Sequence, residues 1–197
     1  MDSSTTVEQA TRRKGGHWPG EPAFWTFIFG DMLIFGIIFV MYAVQRVRDP
    51  QVFIDGHLML NQNYGLLNTF ILLFSSWLVA TAVRSARNGQ HRIVSLLLFG
   101  ATACGLTFCV IKFFEYREKI AANHLPDSSE FWSFYYVVTA IHLIHVVFAT
   151  LTIMVVAIGR LTPRARDDIM GLESAGVFWH LVDLLWIMLF ALVYLVI

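Results

Sequence analysis

Charged side chains are scarce in this sequence: Asp, Glu, Lys and Arg make up 14% of its 197 residues, against about 25% in soluble globular proteins. The fourteen basic and fourteen acidic groups cancel, so no polycationic surface exists to neutralise phosphates, and nucleic acid is excluded as a partner. Cysteine is nearly absent. Cys104 and Cys109 share one apolar segment and point about 140° apart on a helix, which argues against a disulfide and against a stapled secreted scaffold. No Gly-rich phosphate loop, nucleophile elbow or loop-borne pair of catalytic carboxylates occurs, so no independent active site is expected. No ligand spacing diagnostic of a metal is present either. The first twenty-one residues are polar, carry Arg12, Arg13 and Lys14, and lack a short apolar region with a cleavage site, so no cleaved signal peptide is expected. Internal repeats, common in secondary transporters, are missing.

What is present is apolar. The hydrophobic residue types reach 57% and the mean hydropathy is +0.63. Five stretches, Pro22–Val44, Leu66–Val83, Ile93–Ile111, Phe131–Ile158 and Ala175–Ile197, contain only two formally charged side chains, Asp31 and Asp183. About 20 apolar residues suffice for a helix to cross a bilayer core, and in lipid each backbone amide must pair within its own helix. The expectation is therefore an all-α polytopic membrane protein. Five transmembrane helices, at about 22–45, 64–84, 93–116, 131–159 and 174–197, follow a polar segment at 1–21 and form a single domain from 22 to 197. Nine Lys and Arg residues lie before the first helix and in the second and fourth connections, against four in the first and third. That bias predicts a cytoplasmic amino terminus and an outside carboxyl terminus.

Six ionisable groups fall in or at the ends of these helices: Asp31, Glu115, His142, His145, His180 and Asp183. A charge at the bilayer centre costs roughly 2.5–3.5 kcal/mol on insertion scales, so each should face protein or water and have a partner. Hydrogen-bonding glue between helices is the plain reading of such groups, and proton handling the functional one. His142 and His145 are three residues apart, as are His180 and Asp183, so each pair shares a face, about 60° around its helix. A His180–Asp183 pair would satisfy both partners. Counting residues inward puts Asp31 roughly 14 Å deep, in a layer that Asp183 can share. Glu115 should lie near the outer surface, with Lys112 one turn behind it. His142 and His145 cannot both ligate one haem from one helix face. Gly30, Gly36, Ala101 and Gly105 are small residues that let helices approach closely.

Three segments resemble subunit III of the haem-copper respiratory oxidases. They are Lys112-Phe-Phe-Glu115-Tyr116, Phe134-Tyr135-Tyr136-Val-Val-Thr139-Ala140-Ile-His142-Leu-Ile-His145-Val146, and Phe178-Trp179-His180-Leu-Val-Asp183-Leu-Leu-Trp186. The chain departs from the family in carrying Asp31 where Glu is usual and Ala140 where Gly is usual. Five helices rather than seven resemble the short bacterial form of cytochrome c and quinol oxidases. The segments Pro19-Gly20-Glu21-Pro22-Ala-Phe-Trp25 and Gly65-Leu-Leu-Asn68-Thr69 are similar to an accessory protein of nitric oxide reductase, which is the alternative reading. A stand-alone proton conductor is a further alternative, motivated by Asp31, Asp183 and the histidines. The resemblance implies a non-catalytic subunit of the bacterial inner membrane. It would pack against the catalytic subunit I, which holds haem and copper, stabilise it, bind phospholipid and support proton uptake. This chain itself is then expected to bind no haem or metal.

Overall fold

In the computed structural model, residues 22–162 and 168–195 are described. Six α-helices follow in order: α1 (Pro22–Arg48), α2 (Pro50–Leu58), α3 (Gln62–Arg87), α4 (His91–Ala121), α5 (Glu130–Gly159) and α6 (Ile169–Phe190). The π-helical turn Ala191–Leu195 continues α6. All but α2 are long and apolar enough to cross a membrane.

Local chemistry sets the helix ends. The Asn61 side chain accepts a hydrogen bond from the Asn63 amide at 3.1 Å, and Asp168 accepts from the Gly171 amide at 2.9 Å. Ser129 accepts from the Trp132 amide at 3.4 Å. These side chains satisfy donors that a helix start leaves free. At the far ends, Gly89 (φ 73°) and Asn123 (φ 61°) adopt the left-handed conformation. Each is followed by a backbone bond that reaches back into the helix, Gln90 N to Ser85 O and His124 N to Lys119 O, both 3.0 Å. This is the Schellman closure, and it turns the chain sharply from α3 to α4 and from α4 to α5.

Helices α3 to α6 form an antiparallel four-helix bundle in which each helix packs on its sequence neighbour and α6 closes back on α3. Its core runs from Val79, Ala82 and Val94 through Leu98, Ala101 and Phe108 to Tyr135, Trp186 and Tyr194. Helix α1 stands at the side. It is anchored by a smaller cluster of Ile28 and Phe35 with Leu181 and Leu185 of α6, while Phe29, Leu33, Ile37 and Val40 are exposed. In lipid those exposed side chains are already solvated, so the bundle must be held by close fit and polar contacts rather than by hydrophobic burial.

Two features differ from the sequence expectation. The first connection, for which no helix was expected, contains α2, started by Pro50 and packed on α5 where Gly56 meets the Phe131 ring. Helix α4 runs on past Tyr116 to Ala121, which places Arg117 and Lys119 on a helix rather than in a loop. Lys119 is 5% exposed, and its ammonium donates to the Met59 carbonyl at 2.9 Å, tying α4 to the α2–α3 connection.

Candidate functional site

The densest polar cluster sits where α4, α5 and the end of α6 meet. Lys112 and Glu115 are both 0% exposed. Their spacing on α4 aims both side chains into the bundle. Lys112 Nζ is 3.1 Å from Glu115 Oε2. The other carboxylate oxygen, Oε1, accepts from the Tyr135 hydroxyl at 2.7 Å and the Tyr194 hydroxyl at 2.6 Å. Lys112 also donates to the Tyr194 hydroxyl at 3.1 Å. Its ammonium lies 5.2–5.7 Å from the ring centroids of Tyr116, Tyr135, Trp186 and Tyr194, within the range of cation–π attraction. Every charge in the cage therefore has a partner, which is the condition for burying an ion pair. The π-helical turn is what brings Tyr194 to it. Sequence reasoning singled out Glu115 but not Lys112, although the three-residue spacing within an apolar run was the available signal.

A second polar pair lies across the gap between α1 and α5. Asp31 Oδ1 is 3.0 Å from His145 Nε2. His145 Nδ1 lies 2.8 Å from the Ile141 carbonyl oxygen, which can only accept, so Nδ1 carries a proton. A bond between Nε2 and the carboxyl then requires one proton between them, on the ring or on the acid. The partner of Asp31 is His145, three residues beyond His142 on α5. The pair borders an apolar cleft of about 590 Å³ whose walls include Phe24 and Phe27 of α1, His145 and Phe148 of α5, and Phe178 of α6.

The remaining candidates are placed apart. His180 Nδ1 is 2.6 Å from the Ser76 hydroxyl, so the expected His180–Asp183 pair does not form. The neighbouring helix offers a hydroxyl in line with the ring, whereas Asp183 lies a turn along the same helix, pointing inward. Asp183 is buried and, among the described residues, neither carboxyl oxygen has a hydrogen-bond partner in good geometry. His142 is 0% exposed; its ring lies 5.2 Å from Trp186 and 5.8 Å from Phe108. Among the described residues its two nitrogens have no hydrogen-bond partner. At the base of α6, two guanidinium N–H groups of Arg87 converge on Glu173 Oε1 at 3.0 and 2.8 Å. His57, not singled out from sequence, is buried with Nδ1 3.2 Å from the Val193 carbonyl oxygen and ties α2 to the last turn.

Among the small residues, Gly105 faces the Thr150 side chain and the Trp179 ring, where a Cβ has no room, and Ala101 is fully buried. Gly30 and Gly36 are corrected as packing residues: an added Cβ meets nothing within 4 Å at either, because α1 turns that face outward. Gly65, missed from sequence, lets Phe190 and Tyr194 cross α3 closely. Among the described residues no three His, Cys, Asp or Glu side chains gather into a group that could hold a metal ion. His142, His145 and His180 have different neighbours: Trp186 and Phe108, Asp31, and Ser76.

Comparison with known proteins gives a consistent result. The family model described as cytochrome c oxidase subunit III matches residues 23–196. A haem-copper oxidase subunit I+III of Aeropyrum pernix is 29% identical over 192 residues, covering 91% of this chain and 24% of that protein. The chain thus spans about a quarter of the length of that archaeal relative. A cytochrome bo(3) ubiquinol oxidase subunit 3 of Buchnera aphidicola is 28% identical, with 87% of this chain and 83% of the relative aligned. A cytochrome c oxidase subunit 3 of Synechocystis is 31% identical, with 86% and 72% aligned.

Proposed function

The chain belongs to the cytochrome c oxidase subunit III family, and from that membership we propose that it is the non-catalytic subunit III of a haem-copper terminal oxidase. In this reading it packs beside the haem- and copper-bearing subunit I in a bacterial inner membrane. The observation that carries the proposal is the Aeropyrum pernix relative, a haem-copper oxidase subunit I+III. A single chain holding both parts forces them to be neighbours, and a separate chain of the same family is expected to dock where the fused one is tethered.

The geometry supports a supporting role rather than a chemical one. The six polar candidates do not converge: Glu115 lies in the cage, Asp31 pairs with His145 and His180 with Ser76, while Asp183 and His142 are buried elsewhere. The apolar cleft of about 590 Å³ between α1, α5 and α6 is suited to phospholipid acyl chains, because four phenylalanine rings contribute to its walls, with His145 among the lining residues. The Asp31–His145 pair holds one exchangeable proton, which is the feature a role in proton uptake would use. The excess of Lys and Arg in the amino-terminal segment and the second and fourth connections favours a cytoplasmic amino terminus, with Arg84, Arg87 and Arg92 on the same side.

The test is to delete this chain from its host and purify the oxidase that remains. Loss of bound phospholipid and a shortened catalytic lifetime, restored by adding the chain back, supports the reading. An oxidase of unchanged lipid content, lifetime and proton uptake contradicts it. Single-cysteine labelling from either side of sealed vesicles checks the orientation.

A further inference from the structure

The Lys112–Glu115 cage continues into a line of oxidisable rings. Trp186 lies 6.3 Å from Tyr194, Tyr194 lies 6.4 Å from Tyr135, and Tyr135 lies 5.6 Å from Trp132, centroid to centroid. Trp132 stacks on His124 at 4.7 Å and 9°, and both border a surface pocket of about 320 Å³ at the α4–α5 turn. The line therefore leads from the bundle core to an aqueous end. Indole and phenol are the amino-acid side chains most readily oxidised by one electron, and a phenol is oxidised far more easily when a base stands ready to take its proton. Glu115 is such a base. One oxygen, Oε1, accepts from both Tyr135 and Tyr194.

We propose that Trp186, Tyr194, Tyr135 and Trp132, with Glu115 as the shared proton acceptor, form a relay that carries single oxidising equivalents from the core of the bundle to its outer surface. A strong one-electron oxidant removes an electron from Trp186, leaving an indole radical cation. Tyr194 returns that electron while its phenolic proton crosses to Glu115 Oε1, giving a neutral tyrosyl radical and a neutral carboxylic acid. Tyr135 then reduces the Tyr194 radical. The proton held on Glu115 returns to Tyr194 as the proton of Tyr135 moves onto the same carboxyl. Trp132 reduces the Tyr135 radical, which takes the proton back from Glu115. A water-soluble one-electron reductant, such as a thiol or ascorbate, refills Trp132. One electron has passed from reductant to oxidant, and every side chain ends as it began.

Lys112 explains why the base is available. Its Nζ lies 3.1 Å from Oε2, so a donor stands beside the carboxyl that both phenols share. While the acid is protonated, the uncompensated positive charge rests on Lys112 among four ring faces. Two phenols beside the cage lack such a base: the Tyr136 hydroxyl donates to the His124 carbonyl at 2.9 Å, and Tyr116 pairs with the Thr139 hydroxyl at 2.7 Å. Neither acceptor can take a proton. The biological use, draining stray oxidant formed during oxygen reduction, rests on the oxidase reading; the relay itself does not.

The test uses the full chain in lipid nanodiscs, oxidised by a ruthenium photosensitiser with persulfate and frozen for high-field electron paramagnetic resonance. The expected signal is a tyrosyl radical, narrowed by ring-deuterated tyrosine. Its gx value should be lowered by the hydrogen bond from Lys112, which requires no substitution. Tyr135→Phe with Tyr194→Phe should abolish that component, as should Lys112→Met with Glu115→Gln, which keeps both phenols but removes the base. Trp132→Phe should lengthen the radical's lifetime in ascorbate. A radical confined to the exposed Trp77, or a tyrosyl signal with an unshifted gx that survives these changes, overturns the relay. So does an ascorbate lifetime unaltered in Trp132→Phe.

Discussion

Replacing Glu115 by Leu tests how the bundle is held together. Glu115 is 0% exposed and bonded to Lys112, Tyr135 and Tyr194. The single change strands the Lys112 ammonium without a counter-ion and leaves two phenolic hydroxyls seeking acceptors. Removing one partner of a buried pair costs about 3–5 kcal/mol, whereas replacing both with apolar groups of similar volume is often neutral or stabilising. Lys112→Met with Glu115→Leu should therefore recover most of the loss. The two residues touch, so the double-mutant cycle should show coupling of about 0.5–3 kcal/mol or more. Unfolding in mixed detergent–SDS micelles, followed by tryptophan fluorescence, provides the measurement. If Glu115→Leu costs less than about 1 kcal/mol and the two changes add independently, the cage is not the polar fastening described above.

Gly105→Leu should destabilise by about 1–3 kcal/mol through overpacking against Thr150 and Trp179, whereas Gly36→Leu, facing open space, should be nearly silent in the same unfolding assay. Asp31→Asn should leave stability nearly unchanged, because an amide N–H can donate to His145 Nε2. Asp31→Leu, which strands the imidazole nitrogen, should cost about 1–3 kcal/mol; equal losses for the two would refute the shared-proton pair. His180→Leu removes the partner of Ser76 and should lower the amount of assembled oxidase recovered while leaving turnover per assembled complex normal. Normal assembly with lost turnover would give His180 a direct part in the chemistry.

The five spans were legible because lipid demands length and excludes charge, and both are visible in one dimension. Helix α2 was not: Pro50-Gln-Val-Phe-Ile-Asp-Gly-His-Leu58 is too short and too polar for a span, and only Pro50 hints at a helix start. The polar candidates were legible for the same reason as the spans, since an ionisable group in an apolar run needs a partner. The identity of each partner was not. Spacing on one helix suggested His180 with Asp183, but the hydroxyl of Ser76 belongs to another helix and leaves no mark in the sequence of α6. Lys112 was seen beside Glu115 but its burial was not foreseen, because a cation near a helix end normally reaches for water; here the π-helical turn folds Tyr194 over it. The small residues divide likewise: Gly105 has a neighbour to admit and Gly36 has none, a difference set by where α1 leans rather than by composition. The opening of the first-segment motif, residues 19–21, lies outside the described residues.

The central claim, that this chain is a fitted neighbour of a haem-copper subunit, is tested most directly by native mass spectrometry of the affinity-tagged protein released from its own membrane in mild detergent. The account predicts one dominant assembly in which the chain is present in equal number with a haem-bearing subunit I and retains phospholipid after detergent stripping. A bare five-span protein of 22.5 kDa, recovered while the host's oxidase runs intact in a separate peak, would contradict it.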